Sequence, residues 1–180
     1  MLALMLIDVQ LAFLDEKWGK RNNPQVEYNM LKVLDVFRQN QLPIIHIQHV
    51  SDNPISLFHH STGQGFKQGF EPQASEKIFT KTVNSAFIGT KLAEYLHQHH
   101  IDELVIVGLT LPHCVSTITR MAANLGFKVT LLEDCVASFP LKMPNGEEIS
   151  AEEIHRVNIA TLHDEFATIL STAQFLQQMG

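Results

Sequence analysis

Short apolar runs alternate with longer amphipathic segments from one end of the chain to the other. Each apolar run is bounded by polar or turn-forming residues, which is typical of buried parallel strands. Six runs predict strands: 2–8, 43–50, 77–81, 103–109, 127–132 and 165–171. Strands that alternate with helices favour a parallel sheet with helices on both faces. The pattern therefore predicts an α/β fold, a three-layer α/β/α sandwich around a six-stranded, mainly parallel sheet.

Apolar residues spaced by three or four positions predict the helices. Four segments show this spacing: 25–41, 86–100, 114–125 and 150–162. Gly126 supplies a stop after the third helix, because glycine readily adopts the left-handed conformation that ends helices. Ser150 and Glu153 form a capping box at the start of the fourth helix. Successive strands are thus expected to be joined by helices, as βαβ units throughout.

Two stretches show neither the apolar runs typical of buried strands nor the three-to-four-residue spacing of helices. Residues 51–75 are rich in Gly, Pro, Ser and Gln, and residues 139–149 contain prolines and an Asn-Gly pair. Both are predicted to be long loops, which in compact domains act as lids, interface arms or disordered segments. A length of 180 residues matches one domain of ordinary size, so a single domain over 1–180 is expected.

Composition excludes several classes of protein. Hydrophobic residues make up 45% of the chain and charged residues 18%, which is too apolar for a disordered chain. The net charge is −6 and no basic run exceeds two residues, so no nucleic-acid partner is expected. The apolar opening 1–7 ends at Asp8, far short of the roughly 20 residues that span a membrane. It also lacks a basic leader. We expect a cytoplasmic protein with no membrane contact.

Three reactive side chains follow predicted strands. Asp8 closes the first strand, Lys81 closes the third, and Cys114 comes a short turn after the fourth. Ligands of open parallel sheets gather beyond the carboxyl ends of the strands, so these side chains are able to converge. A thiol, a carboxylate and an amine are the groups used in nucleophilic acyl transfer. Cys114 also starts a predicted helix, whose positive end and a nearby ammonium favour a thiolate.

Each of these residues also has a purely structural explanation. A strand-end aspartate often caps a loop, a strand-end lysine is usually solvated, and cysteine is most often a small buried hydrophobe. The second cysteine, Cys135, has no helix start after it, so packing is its expected role. Two cysteines are too few for a disulfide framework. Position alone leaves both the active-site hypothesis and the packing alternatives open.

Three motifs in order along the chain resemble the isochorismatase-like cysteine hydrolase superfamily. They are Leu6-Ile7-Asp8-Val9-Gln10 with Phe13, then Lys81-Thr82-Val83-Asn84-Ser85-Ala86-Phe87, then Gly108 through Cys114-Val115-Ser116-Thr117. Weaker similarity between and after these motifs extends over most of the chain. The superfamily has an isochorismatase-like, Rossmann-like fold and includes nicotinamidases, isochorismatases and carbamoyl-amide hydrolases. The motifs do not specify the substrate.

The resemblance implies a role for each reactive side chain. Cys114 resembles the nucleophile, Asp8 the general base, and Lys81 the cation that holds the thiolate and orients the carboxylate. The resemblance also implies an oxyanion hole made of the backbone N–H groups of Thr110 and Cys114, with a cis peptide between Leu109 and Thr110. The implied reaction is hydrolysis of a small-molecule amide C–N bond through a cysteine thioester.

Two other functions stay open on the sequence. Some members of the superfamily cleave an enol ether, for which Asp8 would act as general acid and no thioester is needed. Alternatively, the chain is a non-catalytic scaffold or a redox-responsive thiol protein in which Cys114 is oxidised. The presence of Asp8 and Lys81 together with Cys114 favours the hydrolase.

Phe13, Phe87 and His113 are the candidate substrate contacts. Both phenylalanines and Trp18 follow strand-end candidates closely, and aromatic walls suit a flat substrate, although surface packing explains Trp18 as well. Asn84 and Ser85 follow Lys81 closely enough to face the pocket, although a turn after the strand explains them without a ligand. His113 precedes the cysteine, where it could donate a hydrogen bond to the substrate or face solvent or a neighbouring subunit. Core packing explains Phe87 equally well. Leu111-Pro112 stand where many members of the superfamily carry Thr-Asp, and Pro112 is expected to stiffen the loop.

No metal and no cofactor are expected. Nicotinamidase-type members carry an Asp-x-His pair after the second strand, whereas this chain has His46-Ile47-Gln48-His49. His46 and His49 are an odd number of positions apart, so on a strand they point to opposite faces and cannot ligate one ion. The expected partners are a small-molecule substrate and further copies of the chain, as a homodimer or larger homo-oligomer. Light scattering that shows only a 20.3 kDa particle would exclude the oligomer.

Overall fold

Eight strands form within residues 1–179, the part of the chain that the computed structural model describes. They are β1 (Leu2–Ile7), β2 (Ile44–His49), β3 (Lys77–Lys81), β4 (Glu103–Leu109), β5 (Lys128–Ala137), β6 (Leu141–Lys142), β7 (Glu148–Ile149) and β8 (Thr168–Leu170). Six of them make one sheet in the order β3-β2-β1-β4-β5-β8, and every neighbouring pair is parallel. The α/β class and the six-stranded sheet are confirmed. β6 and β7 form a small antiparallel hairpin inside the segment predicted to be the second long loop.

Helices cover both faces of this sheet: α1 (Val26–Gln39), α2 (Leu92–Gln98), α3 (Ser116–Asn124), α4 (Ala151–Leu162) and α5 (Thr172–Met179). Side chains of β1 alternate between the faces, as the pleat of a strand requires. Ala3, Met5 and Ile7 pack with α2, α3 and α4, while Leu4 and Leu6 pack with α1 and α5. The two buried cores confirm the three-layer arrangement. Among the helices of residues 1–179, none has the length and apolar character needed to cross a membrane.

The helix boundaries follow the sequence signals with two exceptions. Ser150 Oγ accepts a hydrogen bond from the Glu153 N–H at 3.2 Å, which confirms the cap of α4. Gly126 has φ +90°, the left-handed stop expected after α3. However, α2 begins well after residue 86, because a turn capped by Thr90 precedes its first residue. α5 has no counterpart in the sequence prediction.

Residues 50–76 join β2 to β3 without a helix, so the expectation of a βαβ unit is wrong at this crossover. Gln10, just after β1, holds the long connection in place. Its buried side chain donates from Nε2 to the carbonyl oxygens of Gln64 at 2.7 Å and His49 at 2.9 Å. The backbone of Gln10 also forms an isolated bridge with Phe66. The loop is therefore fixed beside the carboxyl ends of β1 and β2.

The strand order reverses between β1 and β4, the place where ligands of open parallel sheets bind. Gly108 of β4 faces β1 there with φ +131°. A Cβ at this position would lie 2.1 Å from the carbonyl oxygen of Ile7, so only glycine allows the close approach of the two strands. The ends of β1 and β4 are thereby brought to one point of the sheet edge.

Candidate active site

Asp8, Lys81 and Cys114 meet at the carboxyl edge of the sheet. Asp8 follows β1 with a left-handed backbone (φ +49°), Lys81 ends β3, and Cys114 lies in a π-helical turn, Leu111–Val115, that follows β4. Lys81 Nζ donates to Asp8 Oδ2 at 2.8 Å and to Cys114 Sγ at 3.2 Å. The structure thus brings together the three residues that the strand ends singled out.

The Asp8–Lys81 pair is shielded from solvent, with side chains that are 1% and 0% exposed. Burial raises the pKa of Asp8, and the Lys81 ammonium opposes that rise. Lys81 holds Asp8 Oδ2, whereas Oδ1 is buried and has no hydrogen-bond partner within residues 1–179. A carboxylate with a raised pKa and one uncommitted oxygen is suited to accept a proton.

Cys114 carries its proton at neutral pH. Burial, reinforced by the neighbouring Asp8 charge, raises the pKa of Cys114 to about 12. The expectation that the helix start and the ammonium favour a thiolate is wrong here, because desolvation outweighs the Lys81 charge. The thiol can attack a carbonyl only if a neighbouring base removes its proton.

His49 supplies a third acceptor to the lysine. Its Nδ1 lies 3.0 Å from Lys81 Nζ, and the two residues are register partners on β2 and β3. Burial and the Lys81 charge lower the pKa of His49 to about 4, so the imidazole is neutral. In the sequence, His49 stands out only as a candidate metal ligand, and its odd spacing from His46 argues against that role. Its pairing with Lys81 depends on the register of the sheet, which a single sequence does not show.

A cavity of about 190 Å³ opens onto Cys114. Its walls consist of Phe13, Trp18, His49, Phe58, Asn84, Thr110, His113 and Cys114. The Phe13 ring packs against Trp18 and Phe58, with centroids 5.2 Å and 5.4 Å apart. Phe13 and His113, two of the candidate substrate contacts, therefore lie in the same cavity wall as Cys114. Trp18 and Asn84, which also follow strand-end candidates in the sequence, line the cavity too. Phe58 is a lining residue that the sequence does not predict, since it belongs to a loop without hydrophobic periodicity.

The backbone next to this cavity has the cis peptide that the resemblance implied, between Leu109 and Thr110. Thr110 and Cys114, whose N–H groups are the candidate oxyanion hole, both lie in the cavity wall. The Thr110 hydroxyl is 3.0 Å from His113 Nδ1, which fixes the orientation of that ring. Burial lowers the pKa of His113. A neutral imidazole therefore stands beside the nucleophile candidate.

The sequence model of the isochorismatase domain matches residues 2–174. The chain belongs to the isochorismatase family. It is 50% identical over 175 residues to the uncharacterized isochorismatase family protein YrdC of Bacillus subtilis (strain 168), covering 97% of this chain and 94% of that protein. A crystal structure of an isochorismatase-family protein from Chromobacterium violaceum has a TM-score of 0.95 and 38% identity, covering 99% of this chain and 93% of the other.

The isochorismatase family consists of hydrolases, so this chain is a hydrolase. Among its relatives is nicotinamidase 3 of Arabidopsis thaliana, 24% identical over 182 residues, which cover 93% of this chain and 83% of that protein. The name of this relative describes an enzyme that acts on an amide.

A metal ion does not fit beside Cys114 in this isochorismatase-family chain. Asp8, His49 and Cys114 each offer one ligand atom, and these atoms lie within 4.8 Å of one another. Lys81 Nζ already lies 2.8 to 3.2 Å from all three side chains. A divalent cation would have to displace this buried ammonium and would meet its charge. His46 hydrogen-bonds to a buried glutamate instead and takes no part in the cluster.

Three other residues singled out in the sequence lie outside the wall of the Cys114 cavity. The Phe87 ring stacks on Phe127 at 6.0 Å, and Phe127 precedes β5 at the amino edge of the sheet. Phe87 therefore lies outside the wall of the cavity that Cys114 lines, in the position that the packing alternative describes. Pro112 lines a separate groove beside α4. Cys135 is fully buried with Sγ 3.1 Å from Thr172 Oγ1, which confirms its packing role.

Proposed function

We propose that this protein hydrolyses the C–N bond of a small, uncharged amide through a thioester on Cys114. The observation that carries the proposal is the position of Lys81, whose ammonium holds Asp8 and Cys114 together at 2.8 Å and 3.2 Å. Of these groups, Cys114 lines a cavity of about 190 Å³, which has room for a small amide. A nucleophile, a base and a fixed cation are the parts that acyl transfer requires.

Asp8 moves one proton in each half of the reaction. In the first half, Asp8 takes the proton of the Cys114 thiol while Sγ attacks the amide carbon. The C–N bond then breaks, the thioester forms, and the amine leaves with the proton held by Asp8. In the second half, Asp8 takes a proton from water and the hydroxide attacks the thioester carbon. The C–S bond then breaks, the carboxylic acid leaves, and the Cys114 thiolate regains a proton from Asp8. The raised pKa of Asp8 supports both roles, since it brings the carboxyl closer to the operating pH.

The Lys81 side chain contacts both Asp8 and Cys114, so it compensates the negative charge that passes between them. The charge on the substrate oxygen develops elsewhere, at the candidate oxyanion hole formed by the N–H groups of Thr110 and Cys114. Backbone donors that are fixed before the reaction stabilise such an oxyanion without reorganisation. The position of Thr110 and Cys114 in the same cavity wall supports this assignment.

The cavity wall supports a flat, neutral substrate. Phe13, Trp18 and Phe58 present aromatic rings, and Asn84 and His113 supply polar contacts. Among residues 1–179, this wall contains no lysine or arginine, so the wall itself offers no counter-charge to an anionic substrate. A volume of about 190 Å³ limits the substrate to the size of a single small ring with its carboxamide.

The test is release of ammonia from a panel of small primary amides, neutral and anionic, followed together with the mass of the Cys114 peptide after acid quenching. We expect turnover of neutral aromatic amides, an acyl adduct on Cys114, and loss of both in Cys114→Ala. An ether hydrolase would tolerate Cys114→Ala better than Asp8→Asn. A scaffold would be indifferent to both substitutions, and either result would overturn the proposal.

A further inference from the structure

The lysine of the site reaches Asp8 across an intervening strand. Lys81 ends β3, Asp8 follows β1, and β2 lies between those two strands. The residue of β2 that pairs with Lys81 in the sheet register is His49. Directly paired positions on neighbouring strands place their side chains on the same face. The lysine side chain therefore passes the imidazole before it reaches the carboxylate.

The contacts of the ammonium account for all of its hydrogens. A lysine ammonium has three N–H donors and no acceptor. Lys81 Nζ has three neighbours at hydrogen-bond distance: Asp8 Oδ2 at 2.8 Å, His49 Nδ1 at 3.0 Å and Cys114 Sγ at 3.2 Å. Because an ammonium can only donate, Nδ1 of His49 is the acceptor and the ring proton is on Nε2. Without His49, one donor of a fully buried ammonium would have no partner.

The imidazole itself is held from two sides. Gln10 makes a pair of hydrogen bonds with the backbone of His49: the His49 N–H donates to Gln10 Oε1 at 2.8 Å, and Gln10 Nε2 donates to the His49 carbonyl at 2.9 Å. The ring of Phe58 packs edge-on against the imidazole, with centroids 4.8 Å apart. The backbone of His49 is thus held by Gln10, and its ring is packed against Phe58.

We propose that His49 is a positioning residue: its neutral Nδ1 fixes the Lys81 ammonium so that the other two N–H groups point at Asp8 and Cys114. His49 then acts through Lys81 and does not touch the bond that breaks. The contribution of His49 to hydrolysis rests on the proposed function. Its effect on the reactivity of the Cys114 thiol can be measured without a substrate.

The test compares His49→Leu, which removes the acceptor, with His49→Asn, whose Oδ1 stands close to the position of Nδ1. Peptide-resolved alkylation by 2-chloroacetamide gives the rate at Cys114 as a function of pH, with Cys135 as internal control. We expect His49→Leu to slow alkylation of Cys114 about tenfold and to move the profile to higher pH, because a buried donor loses its partner. His49→Asn is expected to stay within about threefold of the unaltered protein.

Equal profiles for His49→Leu and the unaltered protein would overturn the inference, as would an Asn variant as slow as the Leu variant while both unfold at the normal urea concentration. If His49→Leu does not fold, His49→Gln is used in its place, because the side-chain oxygen of Gln lies one bond further from the backbone than that of Asn. Alkylation of Cys114 is then expected to be slower in His49→Gln than in His49→Asn. Equal alkylation rates in these two variants would count against the inference. Should the expected alkylation pattern hold while no amide is hydrolysed, the positioning role stands and the proposed function fails.

Discussion

Lys81 donates to Asp8 Oδ2 at 2.8 Å from inside the protein, where both side chains are at most 1% exposed. A buried ion pair adds little stability compared with an apolar pair, because both charges lose their water. Removal of one partner is nevertheless costly, since the other charge remains buried without compensation. The position of this pair beside Cys114 is therefore explained by chemistry more than by folding.

Lys81→Met is expected to lower the free energy of unfolding by about 3 kcal/mol, because it leaves the Asp8 carboxylate buried and unpaired. Urea titration measures the change. Lys128→Met is the matched control: Lys128 pairs with Glu103 at 3.1 Å, but both side chains are exposed. That variant should differ from the unaltered protein by less than about 0.5 kcal/mol. Similar losses in the two variants would contradict the burial argument.

Stability is expected to rise with pH between about 4 and 6.5. Burial lowers the pKa of His49 to about 4 and also lowers those of His46, His113 and His155. In this range the unfolded chain binds protons that the folded chain does not, so acid favours unfolding. The raised pKa of Asp8 makes stability fall as the pH rises, but it concerns one group against four histidines.

The measurement is urea unfolding at several pH values in that interval. In His49→Asn the rise should be shallower, because one of the groups that take up a proton on unfolding is gone. A slope unchanged by this substitution would show that His49 titrates normally in the folded protein.

Gly108→Ala is expected to destabilise the protein by at least about 2 kcal/mol, since it combines a positive φ with a Cβ that would collide with Ile7. Gly126→Ala provides the comparison. Its φ is also positive, at +90°. A Cβ there would meet no atom within 4 Å, so a loss of only about 1 kcal/mol is expected. If both variants lose the same stability, the close approach of β1 and β4 is not what requires glycine.

Phe13→Leu should raise KM for a flat neutral amide about tenfold while kcat changes less, because the ring forms a cavity wall and not part of the reacting group. Phe87→Leu tests the alternative position from the same sequence motif. Phe87 packs on Phe127 outside the cavity, so its loss should reduce stability by about 1 kcal/mol and leave KM alone. The reverse pattern would restore Phe87 as a substrate contact.

Local signals in the sequence predicted most of the sheet and the three reactive residues. Apolar runs such as that before Asp8 and the stop at Gly126 are properties of neighbouring residues, so they can be recognised in one chain. Strand ends also indicate where side chains converge, which is why Lys81 and Cys114 stood out.

Properties that depend on distant parts of the chain were not predicted. His49 pairs with Lys81 through the sheet register, and Phe58 reaches the cavity along a loop without periodicity. The pKa of Cys114 was expected to fall because the helix start and ammonium are local features, whereas the burial that raises it comes from the whole fold. Phe87, like Phe13, closely follows a strand-end candidate in the sequence, but in the structure it packs on Phe127, outside the cavity wall.

The account as a whole depends on Asp8 as the base that activates Cys114. Alkylation by 2-chloroacetamide tests it most directly, because this small amide fits the cavity and its carbon–chlorine bond traps the sulfur without the need for a known substrate. At neutral pH, Cys114 should react much faster than the buried Cys135, although burial raises the pKa of both thiols to about 12. Asp8→Asn should remove that advantage, with a loss of about 100-fold at Cys114. Equal rates at the two cysteines, or an Asp8→Asn variant that reacts as fast as the unaltered protein, would contradict the proposed mechanism.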